Sequence, residues 1–219
     1  MLHIENITFE WELGTTHSPS IEEGLYSHPN FTQLQFLSLL FAKEDEGVVV
    51  TDMPDDAYLQ NLKKLGFSLP SIHLFEDTEF PYDTIKSWGW AKSIETWAKK
   101  RGLTYSSPSF SLVSQMASKA FAFEVGEKIE GAALLHTLEE VANWVGSNNH
   151  PKVLKSCYGY GGRKRFLLNS YECLKSLKLS SFPLIGQPWV RRILDFSTQW
   201  LIKEDQTVTY LGATILKNN

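Results

Sequence analysis

The run Gly47-Val48-Val49-Val50-Thr51 constrains the fold of this chain more than any other stretch. A strand that is apolar at every position has no face to offer water, so it belongs in a parallel sheet covered on both sides by helices. Helical patterns flank it. Leu34, Leu37, Leu40 and Phe41 recur at helical spacing within Phe31–Ala42, with Thr32 as a cap. Asp55–Leu65 reads as a second helix, stopped by Gly66. Ser71–Phe75 gives a further short strand, and the alternation across Asn6–Leu13 predicts a first one. Strand, helix, strand, helix, strand is the order of an α/β unit with parallel strands. No glycine-rich dinucleotide fingerprint follows the first strand, so that unit is not read as a dinucleotide site.

Trp88-Gly89-Trp90 introduces an amphipathic helix over Ala91–Lys100, stopped by Gly102. Trp90, Ile94, Trp97 and Ala98 share its core face. Composition then shifts at Tyr105-Ser106-Ser107-Pro108-Ser109, which places a domain boundary between residues 107 and 108. Beyond it, Leu112–Val125 carries a helix with Ser118-Lys119-Ala120-Phe121, and Gly131–Val145 reads as another with Thr137 as its cap. Strands follow at Lys152–Ser156 and Phe166–Leu168, a helix at Tyr171–Leu179, and strands at Ile193–Ile202 and Thr207–Leu216.

Between the first two of those strands lies the densest chemistry. Lys155 ends an apolar strand, Gly159, Gly161 and Gly162 form a turn, and Arg163-Lys164-Arg165 open the next strand. Glycines let a backbone approach a ligand closely. Successive N–H groups in such a turn can enclose an anion, and a lysine beside them adds a point charge. A surface hairpin with solvated cations is the plainer reading of the same residues. Lys119 likewise reads either as a solvated helix residue or as an anion ligand.

Composition narrows the partners. A chain of 219 residues with 42% hydrophobic and 13% aromatic content has material for a sizeable core. A net charge of −4 argues against general nucleic-acid binding, because phosphate backbones need broad positive surface. Cys157 and Cys173 lack zinc or disulfide-scaffold spacing, and the six histidines show no metal-ligand spacing. Cys157 reads as buried and inert. No Gly-x-Ser-x-Gly nucleophile motif occurs. The start Met1-Leu2-His3-Ile4 is no signal peptide and no apolar run approaches a membrane span, so a cytoplasmic location is expected.

In the order Trp88-Gly89-Trp90, Ser118-Lys119, Lys155, Gly159/Gly161/Gly162 and Gln187-Pro188-Trp189-Val190, the chain resembles the ATP-grasp superfamily. The resemblance implies a Rossmann-like parallel-sheet domain over 1–107 and an incomplete α+β ATP-grasp domain over 108–219. It implies that ATP is held by Lys119 and Lys155 on its phosphates under the flap of Gly159, Gly161 and Gly162. Gln187, Trp189 and Val190 would form the adenine hinge, with Gln187 where the family usually has glutamate, and Asp195 would take the ribose hydroxyls. Asp195 is also open to pairing with Arg191 or Arg192. The implied reaction activates a carboxylate substrate as an acyl phosphate for attack by an amine or another nucleophile. A homodimer is compatible with the family.

Two departures accompany the resemblance. The flap is cationic at Lys164, where another glycine is usual. The family's magnesium ligands, an acidic residue followed by Glu-x-Asn, have no match after Asp195, where only Glu204 and Asp205 remain. The expectation is therefore an N-terminal portion of a ligase, inactive alone, with the Mg2+ ligands outside the chain. The competing expectation is a non-catalytic protein that binds an anionic partner or nucleic acid through Arg163-Lys164-Arg165.

Overall fold

The computed structural model describes residues 1–6, 9–14, 29–147, 151–159, 164–179, 181–191 and 193–216. The first half is built on four parallel strands: β1 Leu2–Ile4, β2 Gly47–Val50, β3 Ser71–Leu74 and β4 Ile85–Ser87, in the order β3-β2-β1-β4. Alternation along β1 and β2 divides the core. Leu2, Ile4 and Val49 pack with Phe75, Ile94 and Trp97 on one face, while Val48 and Val50 pack with Leu39, Ala42 and Leu62 on the other. Helices cover both faces, as the apolar β2 demanded.

Helix α1 spans Phe9–Leu13, where the sequence predicted a strand, and the strand sits earlier, at Leu2–Ile4. The alternating polar residues there serve a tertiary contact. The buried Glu12 carboxylate accepts from Ser93 N and Oγ at 3.1 and 2.6 Å, at the start of a later helix. Helix α2 spans Pro29–Leu34 and passes into a 3₁₀ helix over Gln35–Leu40. Thr32 lies inside α2 rather than capping it, and proline takes the first helical position. The change of pitch turns Gln35, Ser38 and Leu39 inward and leaves Leu34, Leu37, Leu40 and Phe41 exposed, against the expected face. Gln35 holds that phase, because its Oε1 accepts from Thr51 N at 2.7 Å.

Helix α3, Asp56–Lys64, begins with Asp55 accepting from Ala57 N and ends at Gly66 in the left-handed region (φ +90°). Helix α4, Lys92–Lys100, buries Ile94, Trp97 and Ala98 as its periodicity predicts. The expected helix over Leu112–Val125 is two helices, α5 Phe110–Ala117 and α6 Lys119–Val125. Ser118 breaks them and caps the second, its Oγ accepting from Ala120 N at 3.2 Å.

The second half centres on an antiparallel sheet, β5 Ala133–Leu135, β8 Leu184–Pro188, β6 Lys152–Ser156 and β7 Arg165–Leu168, in that spatial order. β5 replaces the start of the helix expected from Gly131. Helix α7 is confined to Leu138–Gly146, and Thr137 is indeed its cap. It packs on Leu135, Leu154, Leu168 and Leu184. Gly186 permits this packing, since a Cβ there would lie 2.9 Å from Trp144. Helix α8 is a single turn, Glu172–Lys175, shorter than the expected Tyr171–Leu179. A hairpin of β9 Asp195–Ile202 and β10 Val208–Leu216 completes the described chain, exposed along both strands.

No described helix is long and apolar enough to cross a membrane.

Candidate anion site at the base of the glycine turn

The register of the antiparallel sheet decides which side chains meet. Leu154 lies opposite Gly186 and Phe166, and all three belong to the face that packs on α7. Successive residues point to opposite faces, so Val153, Lys155, Ile185, Gln187, Arg165 and Leu167 share the other face. Lys155 stands directly across from Arg165, and Val153 across from Gln187.

On that face, Lys155 Nζ donates to Gln187 Oε1 at 2.6 Å. Lys119, the first residue of α6, reaches the same region from the side. Its backbone N–H donates to Cys157 O at 3.0 Å, and its Nζ donates to Gly159 O at 2.7 Å. The ammonium is half withdrawn from water, and burial is the main cause that lowers its pKa below the ordinary lysine value. Cys157 opposes that shift, whereas the Lys155 charge adds to it, so the two lysines feel each other. A partly desolvated pair of like charges is a site where an anion relieves repulsion as well as gaining hydrogen bonds.

The turn is anchored below. Cys157 is buried and its Sγ donates to Pro183 O at 3.0 Å, which agrees with an inert thiol. Tyr158 is fixed to α5 by Ser114, with its hydroxyl 3.0 Å from Ser114 Oγ and donating to Ser114 O at 3.1 Å. Gly161, Gly162 and Arg163 lie outside the described residues, as does Arg192. Lys164 takes a left-handed backbone (φ 55°) and turns its Nζ back towards Gly14, 3.2 Å from where a Cβ would stand. Arg165 points to the lysine face instead. Both side chains are exposed.

The remaining sequence candidates gather elsewhere. Trp189 N donates to Pro151 O at 3.0 Å, tying the chain after β8 to the start of β6. Trp189, Val190 and Asp195, with Arg191, Ile193, Leu194 and Leu216, line a cavity of about 470 Å³. Gln187 belongs to the lysine group through its contact with Lys155, and Asp195 begins β9 opposite Leu216. Arg165 was missed as a member of the lysine face. Its place in a run of three cations signalled charge, but only the strand register shows which of the three faces Lys155.

Among the described residues no group of three or more His, Cys, Asp or Glu side chains converges to hold a metal ion. Glu204 and Asp205 lie in the exposed β9–β10 turn, where Asp205 Oδ1 accepts from Thr207 N at 2.9 Å. The donors present at the lysine face are cationic, and they do not fit a divalent cation.

No family model and no curated protein matches the chain. Among solved structures it is similar to an N5-carboxyaminoimidazole synthetase from Staphylococcus aureus complexed with ADP, at 11% identity and a TM-score of 0.49, over 80% of this chain and 49% of that one. It is similar to an ADP complex of N5-carboxyaminoimidazole ribonucleotide synthetase at 13% identity and a TM-score of 0.48, over 80% and 48%. The biotin carboxylase domain of a Hydrogenobacter thermophilus 2-oxoglutarate carboxylase gives 15% and 0.47, over 77% and 44%. The chain spans about half the length of the structures it resembles.

Proposed function

We propose that this chain binds ATP and serves an ATP-grasp type of carboxylate activation. The observation that supports the reading is the convergence of Lys119, from a helix, and Lys155, from a strand, at the base of one glycine-rich turn. In this reading the two ammonium groups hold the nucleotide phosphates, and Gly159, Gly161 and Gly162 cover them. Gln187, Trp189 and Val190 supply the adenine hinge and Asp195 the ribose contact. The unit 1–107 contributes the preceding α/β domain and 108–219 the nucleotide-binding one.

The reaction assigned to the complete site transfers the terminal phosphoryl group of ATP to a carboxylate oxygen, releasing ADP. An amine or another nucleophile then attacks the acyl carbon and displaces phosphate. The described residues contribute binding, phosphate charge compensation and exclusion of water. They supply no magnesium ligands, so no step is drawn through that ion. Calorimetric titration with ATP, for the natural chain and Lys155→Ala, tests the reading. Loss of about 1–3 kcal/mol on substitution is expected for one charged hydrogen bond. Undetectable binding at millimolar ATP overturns it.

A further inference from the structure

We propose that the lysine face binds the nucleotide polyphosphate as a metal-free anion, with Arg165 as a third phosphate ligand beside Lys119 and Lys155. The inference rests on the nucleotide-binding reading above.

Arg165 and Lys155 are directly opposed across an antiparallel pair, on the face that carries Gln187. Directly opposed like charges destabilise a sheet. Here the two cations are joined by a third, Lys119, whose ammonium is lowered in pKa by burial and by the Lys155 charge. Arg165 and Lys155 thus share one face of the sheet, and Lys119 from α6 lies close enough to Lys155 for the two charges to interact. A nucleoside diphosphate or triphosphate brings several negative charges, which a divalent cation ordinarily neutralises in part. The described residues provide no carboxylate cluster to position such an ion. They provide guanidinium and ammonium groups instead, and the guanidinium fork matches two phosphate oxygens at once. Arg165 stands on an edge strand with its side chain exposed, so it is free to close on a ligand without disturbing the core.

The test is titration of the 219-residue chain with ADP, once with EDTA and once with excess Mg2+. The natural chain, Arg165→Gln and Lys175→Gln are compared, the last being an exposed cation remote from the face. Expected is affinity in EDTA equal to or tighter than in Mg2+, with Arg165→Gln weakening the EDTA value about tenfold, as for a lost charge-assisted pair, and Lys175→Gln leaving it unchanged. Without ligand, Arg165→Gln should raise the melting temperature slightly by removing the opposed charge. A merely structural arginine would not combine higher apo stability with lower ligand affinity. Binding that needs Mg2+, or that Arg165→Gln leaves unchanged, overturns this inference while sparing the nucleotide reading. Absence of binding in both buffers overturns both.

Discussion

Lys119 Nζ donates to the carbonyl of Gly159 at 2.7 Å, across forty residues of sequence, so the start of one helix is fastened to the first glycine of the turn. The same lysine is held at its backbone by Cys157 O. The contact fixes an ammonium group beside Gly159. Lys119→Met keeps the aliphatic stem and removes the charge. It should weaken ADP binding by about 1–3 kcal/mol while changing the melting temperature little. Calorimetry beside thermal denaturation separates the two effects.

Glu5 is buried, and its Oε2 has no hydrogen-bond partner among the described residues. Burial raises its pKa to about 7. The folded state therefore retains a proton that the unfolded chain gives up near the ordinary value of 4.5. Stability from this group is full below that ordinary value, falls as pH rises through the window up to about 7, and stays low above it. Glu5→Gln should flatten that slope. It should also raise the melting temperature at pH 8, by about 2–4 °C for each kcal/mol recovered. Melting curves between pH 4.5 and 8 check this, and an unchanged slope in Glu5→Gln contradicts it.

Lys152 is almost wholly buried, and its Nζ donates to Trp144 O at 2.5 Å and Val145 O at 3.0 Å, closing the last turn of α7 while lying over the Trp144 ring. Lys152→Ala removes both charged hydrogen bonds and opens a hole. A loss of about 2–5 kcal/mol is expected from the combined terms, measured by urea denaturation. Gly186→Ala should also destabilise the chain, by about 1–3 kcal/mol, because the new methyl group meets the Trp144 ring.

The β9–β10 ribbon carries Phe196, Trp200, Ile202, Tyr210 and Ile215 exposed. A two-stranded ribbon without a packed face has little stability of its own. Its amides should exchange with solvent far faster than those of β6, which lies between two strands with Leu154 buried beneath it. Comparable protection in the two segments would show that the ribbon is covered in solution.

Much of the fold was legible because its signals are local. The wholly apolar β2, the Gly66 stop of α3, the spacing of Ile94, Trp97 and Ala98, and the Thr137 cap each declare an element within a few residues. The short strands β1, β4 and β5, of three residues each, carry too little periodicity to be recognised. Asn6–Leu13 misled because its polar positions answer a distant partner, with Glu12 bound to Ser93. The site divides in the same way. Lys155 stood out at the end of an apolar strand, whereas Arg165 required the pairing register, which no stretch of sequence states.

A double-mutant cycle on ADP binding, with Lys119→Met, Lys155→Met and both together, tests most directly whether the two ammonium groups serve one ligand. Each single change should weaken binding, and the pair should depart from additivity by about 0.5 kcal/mol or more, as expected for residues sharing a partner. Strict additivity, or affinity that neither substitution alters, would contradict a shared phosphate site.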